Sequence, residues 1–178
     1  MHISISKYKT NKKPDKSLTK LINNDIFKHR EMLTPEELAV KVTLENSFLG
    51  AHTFTPAIFQ VTEGDYDEGI RCKRKAEFWV WSQYFVLDID SELSFNDFIE
   101  RCNNYHIYPT FVYTSFSNID ENNPTKYRPV FYLDQLCLDI RLWKIIQFSL
   151  MSIFPESDSK CKDCSRIYYG GKKIIYKN

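Results

Sequence analysis

Between residues 84 and 169 the chain alternates between two hydrophobic periods, and this alternation restricts its fold more than any other feature. Residues 84–90 (YFVLDID) read as a strand. Residues 94–105 read as a helix, with Ser94 as its cap and Phe95, Phe98, Ile99 and Cys102 recurring at i, i+3, i+4 and i+7. A strand at 108–115, a polar turn at 118–125 and a strand at 127–133 follow. Residues 136–154 have the apolar density of a long helix. A polar loop then leads to a last strand at 165–169, with a short run, KIIY, behind it.

Written out, the order is β-α-β-β-α-β. It predicts an α+β fold with a ferredoxin-like, RRM-like antiparallel sheet, both helices on one face and the other face open. Upstream, Thr34, Pro35 and Glu37 fit the cap, first and third positions of a helix over 35–46. Residues 52–61 read as an edge or bulged strand interrupted at Pro56, and 62–69 as a loop. The expected organisation is a basic segment at 1–33, an α/β module at 34–83 packed on the core, and a catalytic sheet at 84–178.

The strand at 84–90 ends in two carboxylates. Phe85, Leu87 and Ile89 take its apolar side, so Asp88 and Asp90 share the open side, about 7 Å apart. At an effective dielectric near 20, two full charges at that spacing repel by about 2.4 kcal/mol. Something positive has to offset this, either a basic side chain or a divalent cation. Hard oxygen ligands on a rigid strand suit Mg²⁺ or Mn²⁺, and a pair of such ions needs a further carboxylate. The loop before the last strand offers Asp158, then Asp163, with Glu156 less well placed. Lys126, Arg128, Arg166, Lys172 and Lys173 lie on or beside the expected strands and could clamp a triphosphate. Ser115 and Ser117 would add hydroxyl donors, and Gly170 and Gly171 would let backbone approach a ligand.

With only five glycines there is no phosphate-binding glycine loop of either common pattern. The net charge of +1 conceals a gradient. Residues 1–30 carry eight Lys/Arg against two Asp/Glu, which leaves the remainder at −5. Within that remainder Arg71, Lys73, Arg74 and Lys75 form a second basic run, followed by Phe78, Trp79 and Trp81. Interleaved basic and aromatic residues suit single-stranded nucleic acid, although the tryptophans read as core and the basic side chains as the phosphate contacts. Five cysteines, no signal-peptide pattern and no apolar run of membrane-spanning length point to a cytoplasmic setting. Cys161 and Cys164 form a C-x-x-C without a second pair, so they read as ordinary thiols.

The segments FVLDID, PTFVYTSFSN, KYRPVFYLD and SDSKCKDCSRIYYGG together resemble the catalytic core of the archaeo-eukaryotic primase superfamily. The likeness is to primase-polymerases of plasmids, phages and CRISPR-associated operons, and it spans roughly residues 50–175. The resemblance implies a nucleotidyltransferase: a DNA primase or polymerase taking nucleoside triphosphates onto a single-stranded DNA template. Two Mg²⁺ or Mn²⁺ ions would be held by Asp88, Asp90 and Asp158. Ser115, Ser117, Lys126, Arg128, Arg166 and Lys172 would bind the nucleotide, and Arg71, Lys73, Arg74 and Lys75, with the basic N-terminus, the template. A helicase or other replication protein would be a natural partner. The family's S-x-H strand motif is not matched. Asn118 stands where a histidine is expected, which leaves that phosphate contact to Arg128 or Ser117.

Two rivals share much of this pattern. A non-catalytic RNA-binding module would have the same topology, but residues 126–133 lack its glycine and carry Pro129, and the two aspartates stand where its stacking aromatics belong. A metal-dependent nuclease would use the same acids with water as nucleophile, and the basic cluster favours synthesis over it. A rolling-circle initiator would need a His-hydrophobe-His pair, which is missing. A sugar transferase would need a nucleotide-binding half before the D-x-D.

Overall fold

In the computed structural model, residues 2–26, 29–45, 47, 49–60, 76–90, 93–120 and 122–178 are described. The chain runs through β1 (His2–Thr10), α1 (Lys16–Asp25), β2 (Arg30–Met32), α2 (Pro35–Lys41), β3 (Ala51–Thr55) and β4 (Ala57–Phe59). It continues with β5 (Trp79–Val86), β6 (Ile89–Asp90), α3 (Phe95–Tyr105), β7 (Phe111–Ser115), β8 (Lys126–Cys137), α4 (Ile140–Ile153) and β9 (Gly171–Lys177). Two antiparallel sheets result. One has the order β2-β1-β3, and the other the order β4-β5-β8-β7-β9 with β6 also on β8. The fold is α+β, as the alternating periods predict.

The basic N-terminal segment is itself folded, with β1 at the centre of the smaller sheet. Ile3 and Ile5 are buried. Asp25, also buried, accepts from the Ser6 hydroxyl at 3.1 Å and the Lys7 amide at 2.8 Å, tying α1 back onto the strand. Pro56 separates β3 from β4, and the chain changes sheets there. A residue without an N–H cannot extend a ladder, and its free carbonyl accepts from the Ser82 hydroxyl at 2.8 Å.

The capping box at Thr34 and Glu37 forms as expected, with hydrogen bonds of 3.2 and 2.8 Å. The helix it opens is shorter than the expected 35–46, ending at Lys41. The Val42 carbonyl accepts from the Gly171 amide at 2.8 Å, and the Leu44 amide donates to the Gly171 carbonyl at 3.2 Å. Pairing with distant backbone therefore replaces the last helical turn.

The strand expected at 84–90 is interrupted, although from Tyr84 to Asp90 β5 and β6 keep one register along β8. Between them the Leu87 amide donates to the Pro129 carbonyl at 3.1 Å. Pro129 has no N–H to return. The last strand departs further from expectation. Residues 165–169 form only a short pairing in which Tyr168 and Phe54 exchange hydrogen bonds of 2.8 and 3.0 Å. The strand β9 begins at Gly171 and lies on the opposite edge, beside β7. The place beside β5 and β6 goes to β4 and to the backbone of Ser157, which bridges Ile89.

Helices α3 and α4 supply one side of the core. Phe98 packs on Phe154 and Tyr127 at ring-centroid distances of 4.7 and 5.5 Å, and Trp143 stacks on Phe85 at 6.1 Å. Tyr84, Phe85, Val86 and Leu87 are all buried, so both faces of β5 are covered. The face expected to be open is partly roofed by the segment leading into β9. Gly171 makes that roof possible: a Cβ there would run into the Thr114 carbonyl oxygen on β7. Gly170 and Gly171 thus let the chain's own atoms approach closely. Gly171→Ala is expected to destabilise the fold by about 2 kcal/mol through overpacking against backbone that cannot retreat. Urea denaturation against wild type measures the loss.

Candidate active site

At the end of β5 the chain presents Asp88 between two arginines from distant segments. Arg128, on β8, donates from Nε to Asp88 Oδ1 at 2.8 Å and from a second nitrogen to the Tyr169 carbonyl at 2.9 Å. Arg166 donates from one guanidinium nitrogen to Asp88 Oδ2 at 2.6 Å and to Asp158 Oδ2 at 2.9 Å. The guanidiniums also lie over rings, Arg128 over Tyr113 at 5.8 Å and Arg166 over Tyr168 at 5.4 Å.

Backbone holds the third acid in position. The Asp158 amide donates to the Asp88 carbonyl at 2.9 Å, beside the Ser157–Ile89 bridge. Asp158 then caps a short 3₁₀ turn (Ser159–Lys162) by accepting from the Lys160 amide at 2.9 Å. Burial works to raise the Asp158 carboxyl pKa, but the Lys160 amide and the Arg166 guanidinium outweigh it and hold it below its ordinary value. Burial likewise opposes the charge on Arg128. Asp88 beside it prevails, so this arginine stays charged. Burial pushes the Tyr113 phenol up to about 12.

Asp90 is 57% exposed and pairs with Lys126, its register partner on β8, at 2.8 Å. The pair is therefore split. Asp88 is 13% exposed and locked in a network, while Asp90 stands at the rim. Between and beyond them lies a cleft of about 540 Å³. Asp88, Asp90, Asp158, Ser115, Ser117, Arg128 and Arg166 line it, as does Asp163. The Ser115 and Ser117 hydroxyls are 2.9 Å apart.

Other expected residues are engaged elsewhere. One Asp163 oxygen accepts from both the amide and the hydroxyl of Ser165, at 2.8 and 2.6 Å. Glu156 forms a two-pronged pair with Arg101 at 2.7 and 2.9 Å. Lys172 donates to the Asn118 carbonyl at 2.6 Å, stapling the turn after β7, and does not line the cleft. Asn118 is buried and accepts from the Thr125 and Lys126 amides, both at 3.3 Å. It organises that turn where a histidine was expected. Arg71, Lys73, Arg74 and Lys75 lie outside the described residues. Cys161 and Cys164 are buried free thiols.

Residues not singled out from the sequence also reach the cleft, namely Lys13, Phe116, Lys160, Lys162, Ile167 and Tyr169. Lys13 comes from the turn after β1, so both sheets contribute to one site. The only sequence signal for it was the basic excess of residues 1–30.

The donors suit a hard divalent cation, since Asp88, Asp90 and Asp158 border one open space. Among the described residues, however, no group of three or more acids, histidines or cysteines converges as a metal cage. Both Asp88 oxygens and one Asp158 oxygen are held by guanidinium, so a cation would have to exchange with an arginine that finds another anion. Arg166 keeps a second guanidinium nitrogen buried in the cleft wall without a hydrogen-bond partner, a donor an anionic oxygen would satisfy. Comparison with family models, curated proteins and solved structures finds no match for this chain.

Removing Asp88 leaves two part-buried guanidiniums facing each other. Asp88→Ala is therefore expected to cost about 3 kcal/mol of stability. Asp90→Asn, which breaks only an exposed pair, should cost less than about 1 kcal/mol. Denaturant midpoints of the two variants check the contrast. Because the Asp158 pKa is lowered in the folded state, its contribution is present above its unfolded value near 4 and is lost as pH falls through the lower, folded value. Asp158→Asn should flatten the acid limb of the stability profile, with little change in its slope above pH 5.

Proposed function

We propose that this cleft carries out nucleotidyl transfer, as a primase-polymerase domain acting on nucleoside triphosphates along a single-stranded DNA template. The observation that carries the reading is the convergence of Asp88, Arg128, Asp158 and Arg166 at the edge of a cavity large enough for a nucleotide. The β5-β8-β7 run of the larger sheet, with α3 and α4 in the chain between and after its strands, supports the same reading even though β9 lies beside β7. In that reading Asp88, Asp90 and Asp158 hold two Mg²⁺ or Mn²⁺ ions, which would lower the pKa of an attacking hydroxyl and offset charge on the triphosphate.

The chain's own groups have definable tasks. Arg128 and Arg166 are charged, aimed by rings and backbone, and able to trade a carboxylate for a phosphate, which they bind with the same fork geometry. Lys160 and Lys162 add positive charge along the cleft, and Ser115 and Ser117 offer hydroxyl donors. The rim position of Asp90 leaves its carboxylate accessible from the cavity, while Lys126 balances its charge. Phe116 and Tyr169 supply aromatic surface in the wall.

A second reading has one observation in its favour. Both Asp88 oxygens are already bound by guanidinium, as in a metal-free module that binds phosphates without chemistry. Incubation of the protein with single-stranded DNA, labelled nucleoside triphosphates and Mn²⁺ or Mg²⁺ separates the two. Primer-free products, or extension of an annealed primer, are expected from wild type. Asp90→Asn should remain folded yet lose more activity than the roughly 10–100-fold typical of residues that merely support a metal ligand. Template degradation would identify a nuclease instead. DNA binding with neither reaction would establish the binding module.

A further inference from the structure

The turn between β1 and α1 encloses a second cavity, of about 210 Å³, that meets the cleft at Lys13, a residue lining both. Its walls differ from the cleft in charge. Lys9, Lys12 and Lys13 line it, all three are exposed, and none has an ion-pair partner among the described residues. Asp15 is its single acid, and one of that side chain's oxygens is committed to capping α1 through the Leu18 amide at 2.8 Å. Where the cleft balances arginine against aspartate, this cavity sets three cations against one acid.

A second observation points to a ligand. Thr10 lines the same cavity and is 6% exposed, and its hydroxyl oxygen is buried without a hydrogen-bond partner. An unsatisfied buried hydroxyl costs about 1–3 kcal/mol unless something pairs with it. Leu18 and Leu49 border the cavity with apolar surface, and Leu49 is largely exposed. Unpaired ammonium groups, a hydroxyl donor and an apolar rim fit a phosphate group with a sugar beside it.

We infer that the β1–α1 turn is a second phosphate site, in which Lys9, Lys12, Lys13 and Thr10 hold a phosphate of a nucleic-acid strand while the cleft holds the nucleotide. The inference deepens the nucleotidyl-transfer reading and rests on it for the identity of the strand. The shared chemistry is a strand phosphate, which has two sources: an internal backbone phosphate or the triphosphate at a 5′ end. A lysine-lined site takes either, because ammonium groups act as point charges without a fixed fork. Lys13 at the junction would keep the strand continuous with the cleft.

The test measures fluorescence anisotropy of labelled 12-nucleotide single-stranded DNA across a salt series, with wild type and Lys9→Gln/Lys12→Gln. These two lysines line the second cavity and not the cleft. Losing the charge contact with that phosphate should weaken binding by about fivefold near 0.1 M salt and reduce the log–log salt slope by about 0.7. Oligonucleotides with a 5′-hydroxyl or a 5′-triphosphate separate the sources. An equal loss for both assigns an internal phosphate, and a loss confined to the triphosphate form assigns the strand's start. An unchanged slope in the double variant, or no strand binding by wild type, overturns the site. So does a parallel loss of triphosphate-nucleotide binding, which would show that the turn merely supports the cleft. A slope change in a protein that makes no product would leave this site standing and remove the proposed reaction.

Discussion

The Asp88 carboxylate, fixed between two guanidiniums, is the interaction on which the arrangement around the cleft depends. Arg128 and Arg166 are 11% and 15% exposed, and burying each charge costs several kcal/mol unless it is paired. One carboxylate cannot neutralise both, and Asp158 makes up the difference through Arg166. The carbonyl of Tyr169 takes a further donor of Arg128. The charge balance thus reaches from β8 to the turn after α4 and to the residues entering β9, three parts of the chain with no local reason to meet.

Backbone pairing makes that charge network geometrically possible. Pro129 cannot donate, so the ladder between β5 and β8 is formally broken beside Asp88, while the Asp88 carbonyl reaches the Asp158 amide on its other edge. Tyr168 and Phe54 exchange hydrogen bonds, which fastens the roof of the cleft to β3 of the smaller sheet. The Tyr168 hydroxyl adds a bond of 2.9 Å to the Val86 carbonyl. The N-terminal residues are therefore part of the frame of the site, and the β1–α1 turn reaches the cavity through Lys13.

Much of this was legible in local pattern. The i, i+3, i+4, i+7 spacing after Ser94 announced α3, and the Thr34–Glu37 box announced α2, because caps and amphipathic stripes are satisfied within a few residues. Pro56 marked a break in a strand for the same reason. The end of α2, the true position of β9 and the roofing of the supposedly open face were not legible. Each depends on pairing with backbone far along the chain: Val42 and Leu44 with Gly171, β9 with β7, and Phe54 with Tyr168. Gly171 read as a ligand contact because a close approach leaves one sequence signature, whether the neighbour is a ligand or Thr114.

For the site, the sequence by itself determined the chemistry on offer: two carboxylates one residue apart, an acid-bearing loop, and basic residues on the strands nearby. That much follows from side-chain identity and the two-residue period of a strand. Only the tertiary structure decided which groups share charge. It joined Asp158 to Asp88 through Arg166, committed Glu156 to Arg101 and Lys172 to the Asn118 turn, and carried Lys13 across from the other sheet. Electrostatic partnership depends on distances of a few ångströms, and separation along the chain sets no such distance. That is why residue types could be listed from the sequence while their pairings required the fold.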